Sequence, residues 1–215
     1  MAITSACYCK SMLSSILHRF HGCIRHCTSI QNLKKEYAKD IDIYCGFEAE
    51  YFPRLFDRTM EQISKYPLDY MILGQHFLDD EIGYKHVGKS GQDETILSAY
   101  VDRVIEALNL ERFIYVAHPD IVNFVGDDET YAKHMLRLLN EFKKRNLPIE
   151  LNMGGFRDGY HYPSNRLIQL GLKNENDFIS RRFYYRLRQK QRTAGGHRYR
   201  LSAVGKGTAG LRKSW

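Results

Sequence analysis

The chain has 215 residues, of which 43% are hydrophobic and 27% charged, a composition typical of a folded domain with a sizeable core. No apolar run approaches the roughly 20 residues that a transmembrane helix requires, which excludes a membrane-spanning protein. The net charge of +7 comes from the end of the chain, because residues 181–215 hold 11 of the 32 basic residues and none of the 25 acidic ones. The preceding residues hold 21 basic and 25 acidic side chains, a net charge of −4.

Three regions follow from this distribution. We predict an irregular N-terminal flank over residues 1–27, a βα core over residues 28–180, and a basic C-terminal tail over residues 181–215 that we expect to be disordered. Four of the five cysteines lie in the first 27 residues. An odd number of cysteines is a poor disulfide framework, so we expect a reducing compartment and a cytoplasmic location.

The first half of the core alternates strand and helix patterns. Residues 41–47 predict a strand, and residues 70–73 predict a second one. The segment after Pro53 predicts a helix, because its apolar residues recur at helical spacing: Leu55, Phe56, Met60 and Ile63. A long loop rich in Gly and Asp follows the second strand.

The second half repeats this alternation. An apolar stripe predicts a helix from Ile96 to Leu108, and residues 113–117 predict a third strand. Asp127 or Asp128 is expected to cap a helix with one apolar face, formed by Tyr131, Met135, Leu138, Leu139 and Phe142. Pro148 ends this helix, and residues 149–152 predict a fourth strand.

Strands that alternate with helices indicate parallel βα units, and hence either a barrel or an open doubly wound sheet. Neither GxGxxG nor GxxxxGK[ST] follows a strand, which favours the barrel. Active sites of such barrels lie at the C-terminal ends of the strands. Here those ends carry four polar residues: Glu48, His76, His118 and Asn152.

Glu48, His76 and His118 are therefore candidate metal ligands. One carboxylate and two imidazoles suit Zn, Mn or Fe, and three protein ligands leave a position open for water, whose pKa the metal lowers. Strand alternation places Glu48 and Glu50 on the same face. The alternative is a solvated strand end beside histidines that only form structural hydrogen bonds.

A glycine pair, Gly154 and Gly155, follows the fourth strand and lets the backbone approach a ligand closely. Arg157 could then bind a phosphate or carboxylate through its planar guanidinium. In the alternative interpretation, the glycines only form a turn and Arg157 pairs with an exposed acid.

Over roughly residues 28–172 the chain resembles the histidinol-phosphatases of the PHP (polymerase and histidinol phosphatase) superfamily. It carries, in the family's order, the runs Gly-Phe-Glu-Ala-Glu-Tyr-Phe-Pro, Leu-Gly-Gln-His-Phe, Ala-His-Pro-Asp, Glu-Leu-Asn and Tyr-Pro-Ser-Asn. The resemblance implies a distorted (β/α)7, TIM-like barrel with two or three divalent metal ions. It also implies hydrolysis of L-histidinol phosphate to L-histidinol and phosphate in histidine biosynthesis.

The resemblance also implies roles for individual residues. Glu48 would bridge the metals, with His76 and His118 as co-ligands, and all three would be catalytic. Arg157 would bind the substrate phosphate, and we expect Gln75 and Tyr160 to bind substrate beside it. The expected partner is a small phosphorylated molecule, rather than a membrane or a nucleic acid.

Three family motifs are missing from this sequence. The family opens with a strand that ends in His-x-His, carries an Asp-His after its second strand, and closes with a strand that ends in Gly-Ser-Asp-Ala-His. We therefore expect a partial barrel and impaired activity. The abrupt loss of acidic residues at both flanks is how a frameshift would look, which resequencing tests. Two alternatives to an active phosphatase follow: an inactive PHP remnant, and a nucleic-acid-binding protein that uses the basic tail.

Overall fold

A computed structural model describes residues 2–9, 27–79, 86–180, 183–188 and 200–203. The chain divides into two compact units. The first comprises residues 1–90 and 102–117, and the second comprises residues 91–101 and 118–215. No helix within the described ranges is both long and apolar enough to cross a membrane.

The first unit is built on a parallel sheet in the order β1-β2-β3. Its strands are β1 (Ala2–Cys9), β2 (Asp42–Ala49) and β3 (Tyr70–Leu73). Residues 27–36 are helical (α1), and α2 (Phe56–Ile63) connects β2 to β3. Parallel neighbours need such crossover connections, so the predicted βα alternation is confirmed for this sheet.

The predicted third strand is present only as backbone pairing beside β3. The amide of Ile114 donates to the Met71 carbonyl at 2.9 Å, and the Ala117 amide donates to the Leu73 carbonyl at 2.8 Å. A single parallel bridge joins Leu73 to Val116. Ala117 is the last residue of this segment that donates to β3, and His118 follows it.

The predicted amphipathic helix after the long loop is α3 (Glu94–Leu108). Its stripe of buried side chains matches the predicted one at Leu97, Tyr100, Val101, Val104 and Leu108, whereas Ile96 is exposed. Burial of such a stripe provides most of the stability of a helix in water, because the isolated helix is only marginally stable.

The second unit combines helices with a four-stranded sheet in the order β4-β5-β6-β7. Its strands are β4 (Ile149–Glu150), β5 (Phe178–Ser180), β6 (Phe183–Arg188) and β7 (Arg200–Ala203). The strands β4 and β5 are parallel, and β6 and β7 add antiparallel. The helices are α4 (Asp128–Lys144), α5 (Met153–Arg157) and α6 (Asn165–Lys173), and the whole predicted apolar face of α4 is buried.

Two expectations differ from the described residues. Residues 2–9 form a strand rather than irregular structure, and residues 183–188 and 200–203 form strands within the tail that we expected to be disordered. The described strands form two small sheets, so the fold is mixed α/β and the expected barrel is not observed among them. Periodicity missed these segments because pairing with neighbouring strands, rather than local pattern, selects them. The division at residues 27 and 180 remains a prediction.

Asp127 is the N-cap of α4, and its carboxylate accepts the Thr130 amide at 2.7 Å. This hydrogen bond is the main cause that lowers the pKa of Asp127. A carboxyl with a lowered pKa contributes stability above its ordinary pKa and loses it as the pH falls through the folded-state value. We therefore expect Asp127→Ala to lower the melting temperature at neutral pH but not in strong acid. Asp127→Asn keeps an acceptor and is the control, and an equal loss at both pH values would contradict the assignment.

Candidate metal centre

Three side chains that follow parallel strands converge on one point. Glu48 lies near the end of β2, His76 follows β3, and His118 comes directly after Ala117. Each offers one ligand atom, and these atoms all lie within 4.8 Å of one another. Metal–ligand bonds of about 2 Å separate ligands on one ion by roughly 3–4 Å, so small side-chain rotations would close the group. The predicted convergence is confirmed.

Two of the three candidate ligands are buried, with Glu48 5% and His118 6% exposed, whereas His76 is half-buried. Glu50, behind His76, is 4% exposed. An ionised carboxylate is excluded from such surroundings unless charge or hydrogen bonds compensate for lost hydration. The interpretation of Glu48 and Glu50 as a solvated strand end is therefore wrong.

Glu50 orients His76. Its Oε1 lies 3.1 Å from His76 Nδ1, and its Oε2 accepts the backbone amide of His76 at 3.4 Å. The Gly74 carbonyl oxygen also lies 3.1 Å from Nδ1. Because Nδ1 faces these acceptors, Nε2 is the nitrogen directed to a metal, in the arrangement in which a carboxylate fixes the ring and tautomer of a ligating histidine.

Gly74 makes room for the Glu48 side chain. A Cβ at Gly74 would lie 2.5 Å from Glu48 Oε1 and 2.8 Å from its Cγ. The Gly74 amide donates to the Ala49 carbonyl at 3.0 Å, which holds this backbone against β2. Glycine is therefore required here by close approach rather than by backbone conformation.

His118 has an unusual backbone. Its φ of +33° lies in the left-handed region, which non-glycine residues rarely adopt and which costs about 1–3 kcal/mol. Its ring lies 5.4 Å from the ring of Tyr162, centroid to centroid. Strain of this kind persists where surrounding contacts hold it, and it is found preferentially at functional sites.

The structure gives Gln75 a structural environment rather than the expected substrate-binding one. Its side chain is fully buried, and its Oε1 accepts the Tyr51 amide at 3.0 Å. Its Nε2 donates to the carbonyls of Tyr51 and Phe77 at 3.1 and 2.6 Å. These bonds occupy both ends of the side-chain amide, so Gln75 links the backbone at Tyr51 to the backbone at Phe77.

Arg157 and Tyr160 lie on the surface of the second unit. Arg157 is paired with Asp158, with Nε to Oδ1 at 2.7 Å and Nη2 to Oδ2 at 3.0 Å. The Arg157 guanidinium holds the pKa of Asp158 below its ordinary range. This is the pairing with an exposed acid that the alternative interpretation described. Tyr160 is 60% exposed, and its ring centroid lies 5.6 Å from that of Tyr162.

Sequence reasoning missed Glu150 as a site residue. It is fully buried, and its Oε2 accepts the backbone amide of His118 at 2.6 Å and the side-chain amide of Asn152 at 3.1 Å. Two signals were available: the Glu-Leu-Asn run that begins at Glu150, and an ionisable residue between Ile149 and Leu151 in a short apolar strand. Asn152, predicted at the strand end, instead caps α5 by accepting the Gly155 amide at 2.8 Å.

The donor set fits a divalent metal ion. Two imidazole nitrogens and one carboxylate, partly desolvated and within reach of one ion, are the ligands of open zinc, manganese and iron sites. Glu50 supplies the carboxylate behind His76 that such sites use to orient a ligand. The assignment of a metal site rests on the chemistry and positions of these residues.

Two solved structures have a fold similar to that of this chain. The chain is similar to a protein named histidinol phosphatase from Listeria monocytogenes, with 19% identity, a TM-score of 0.63, and coverage of 83% of this chain and 82% of that one. It is also similar to a histidinol phosphate phosphatase from Lactococcus lactis solved with zinc, L-histidinol and phosphate, with 17% identity, a TM-score of 0.59, and coverage of 83% of this chain and 72% of that one. At such identities these likenesses show a shared fold. No curated protein matches the sequence of this chain.

The family model described as the PHP domain matches residues 1–154, a stretch that includes Glu48, His76, His118 and Glu150. Together with the group of ligand atoms, this match supports a metal-dependent hydrolase that uses divalent metal ions. The match also includes the first 27 residues, which we had separated as a flank. Because it covers well over half of the chain, this protein belongs to the PHP domain family.

Proposed function

We propose that this protein is a phosphomonoesterase that hydrolyses L-histidinol phosphate to L-histidinol and phosphate in the cytoplasm. The observation that carries the proposal is the convergence of Glu48 and His118, both buried, with the half-buried His76. The similar fold of the Lactococcus lactis protein, which was solved with zinc, L-histidinol and phosphate, supports the choice of substrate.

In this proposal Glu48, His76 and His118 are the catalytic metal ligands, and Zn, Mn or Fe is the metal. A divalent ion, when bound, acts as a Lewis acid and lowers the pKa of water. Glu50 holds the His76 ring with its Nε2 facing the site. Burial of Glu48 and His118 limits the access of bulk water, which strengthens electrostatic interactions with a phosphate ester.

Tyr160 and Arg157 are the proposed substrate-binding residues. The rings of Tyr160, Tyr162 and His118 follow one another at centroid distances of 5.6 and 5.4 Å. An exposed aromatic ring in this series could pack against a flat heteroaromatic substrate such as an imidazole. Arg157 is exposed and offers a planar pair of donors to a phosphate, in competition with Asp158.

Asp158 and a substrate phosphate would compete for the Arg157 guanidinium, which gives a prediction for Arg157. We expect Arg157→Ala to raise KM for histidinol phosphate by about tenfold and to change kcat less, because the ester is already charged before it reacts. Asp158→Ala is the matched variant, and we expect it to lower KM by freeing the guanidinium. Steady-state kinetics measure both values. An unchanged KM in both variants would show that the phosphate is bound elsewhere.

Reconstitution with single metals tests the proposed function. The purified chain, stripped of metal and loaded with Zn, Mn or Fe, should release phosphate from histidinol phosphate at a higher kcat/KM than from p-nitrophenyl phosphate. A preference for the simple ester would contradict the substrate. Metal binding without turnover of either ester would favour the inactive PHP remnant, which the missing family motifs suggest.

A further inference from the structure

The backbone amide of His118 donates to a side chain of β4, whereas the residues before His118 pair with β3. The pairing with β3 ends at Ala117, and the chain then turns through a φ of +33°. The amide of His118 donates to Glu150 Oε2 at 2.6 Å. This distance is short for an N–H···O hydrogen bond, so the Glu150 oxygen lies close against the His118 amide.

Glu150 is itself held in place on both sides. The amide before it, of Ile149, donates to the Asp177 carbonyl at 2.8 Å, and the amide after it, of Leu151, donates to the Ile179 carbonyl at 2.7 Å. Its side chain is fully buried, so it has little freedom to choose another rotamer.

Asn152 fixes the orientation of the Glu150 carboxylate. Its Nδ2 donates to the same Oε2 at 3.1 Å, while its Oδ1 accepts the Gly155 amide at 2.8 Å. The second bond determines which end of the Asn152 amide faces Glu150. Oε2 therefore accepts hydrogen bonds from two donors, the His118 amide and Asn152 Nδ2, and both determine its position.

We propose that Glu150 is a positioning residue, which sets the direction of the His118 imidazole for metal binding by holding the His118 backbone in its left-handed conformation. This assignment rests on the proposed role of His118 as a metal ligand. It concerns geometry rather than charge, because the bond is made to the backbone amide and not to the imidazole. A metal ligand displaced by even a fraction of an ångström binds more weakly.

Two substitutions separate geometry from charge. Glu150→Gln keeps the length of the side chain and an oxygen that can accept both donors, but it removes the charge. Glu150→Asp keeps the charge, but it shortens the side chain and withdraws the oxygen from the His118 amide. Asn176→Ala is a control for loss of a buried polar contact in the same unit, since Asn176 is buried and donates to the Leu139 carbonyl at 2.9 Å.

The experiment measures binding of Co²⁺ alone to the metal-free full-length variants, by competition with a chromophoric chelator and by the visible spectrum of the bound ion. We expect Glu150→Asp to weaken binding by about 10- to 100-fold and to shift the spectrum, as loss of outer contacts does at metal sites. Glu150→Gln and Asn176→Ala should bind within a few-fold of the unchanged protein. Circular dichroism of each variant shows the folded fraction.

The outcomes are distinct. Weak binding by Glu150→Asp with near-normal binding by Glu150→Gln supports the assignment. The reverse order, or a loss in Asn176→Ala as large as in Glu150→Asp, overturns it. If the unchanged protein binds Co²⁺ and His118→Ala binds it equally well, the proposed metal role of His118 fails, and the positioning role fails with it.

Discussion

Glu48→Gln should remove the phosphatase activity almost completely. Glu48 is the one carboxylate in the group of three candidate ligands, and it is buried, with the ligand atoms of both imidazoles within 4.8 Å. A neutral amide of the same size is a poor ligand for a divalent cation, so kcat should fall by about 10³-fold or more, or about 4 kcal/mol in the activation barrier.

The same substitution should not destabilise the metal-free protein. The amide has the same size as the carboxyl and cannot carry a buried charge, so the melting temperature of the metal-free variant should be equal or higher. Glu61→Gln, on an exposed position of α2, is the control for loss of one carboxylate. Metal content, kcat and melting temperature are the measurements. Turnover within tenfold of the unchanged protein would contradict the role of Glu48.

Gly74→Ala should disable the site although it replaces none of the three candidate ligands. The new Cβ would lie 2.5 Å from Glu48 Oε1, and the Gly74 amide holds its backbone against the Ala49 carbonyl, so the Glu48 carboxylate has to move. We expect metal affinity and kcat to fall by about 10²-fold, with a loss of about 1–3 kcal/mol in the free energy of unfolding from overpacking.

A second substitution tests the cause. Glu48→Asp in the Gly74→Ala background withdraws the carboxylate by one methylene and should recover part of the lost stability, a coupling that a double-mutant cycle measures. Gly91→Ala is the control, because a Cβ there meets no atom within 4 Å. Additive effects of the two substitutions would show that the new methyl group does not act through Glu48.

The sequence by itself determined the order of the main elements of the core and the convergence of three candidate metal ligands. Local periodicity predicted β3 at Tyr70–Leu73 and the buried face of α4, because such patterns reflect which side of an element meets the core. Parallel strands share one C-terminal edge, so polar residues at the ends of successive strands were expected to converge. Glu48, His76 and His118 do so.

Only the tertiary structure decided which polar residues contact these candidate ligands. Glu150 and the His118 amide are 32 residues apart in sequence, and Glu50 and His76 are 26 apart, so no local pattern encodes either bond. The short helix α5 was missed because two of its five residues are glycines, and it forms beside the capping side chain of Asn152. Gln75 and Arg157 looked alike as candidate binding residues, yet one is buried in backbone hydrogen bonds and the other is paired at the surface. Burial and long-range partners separate such residues, and both arise only when the chain has folded.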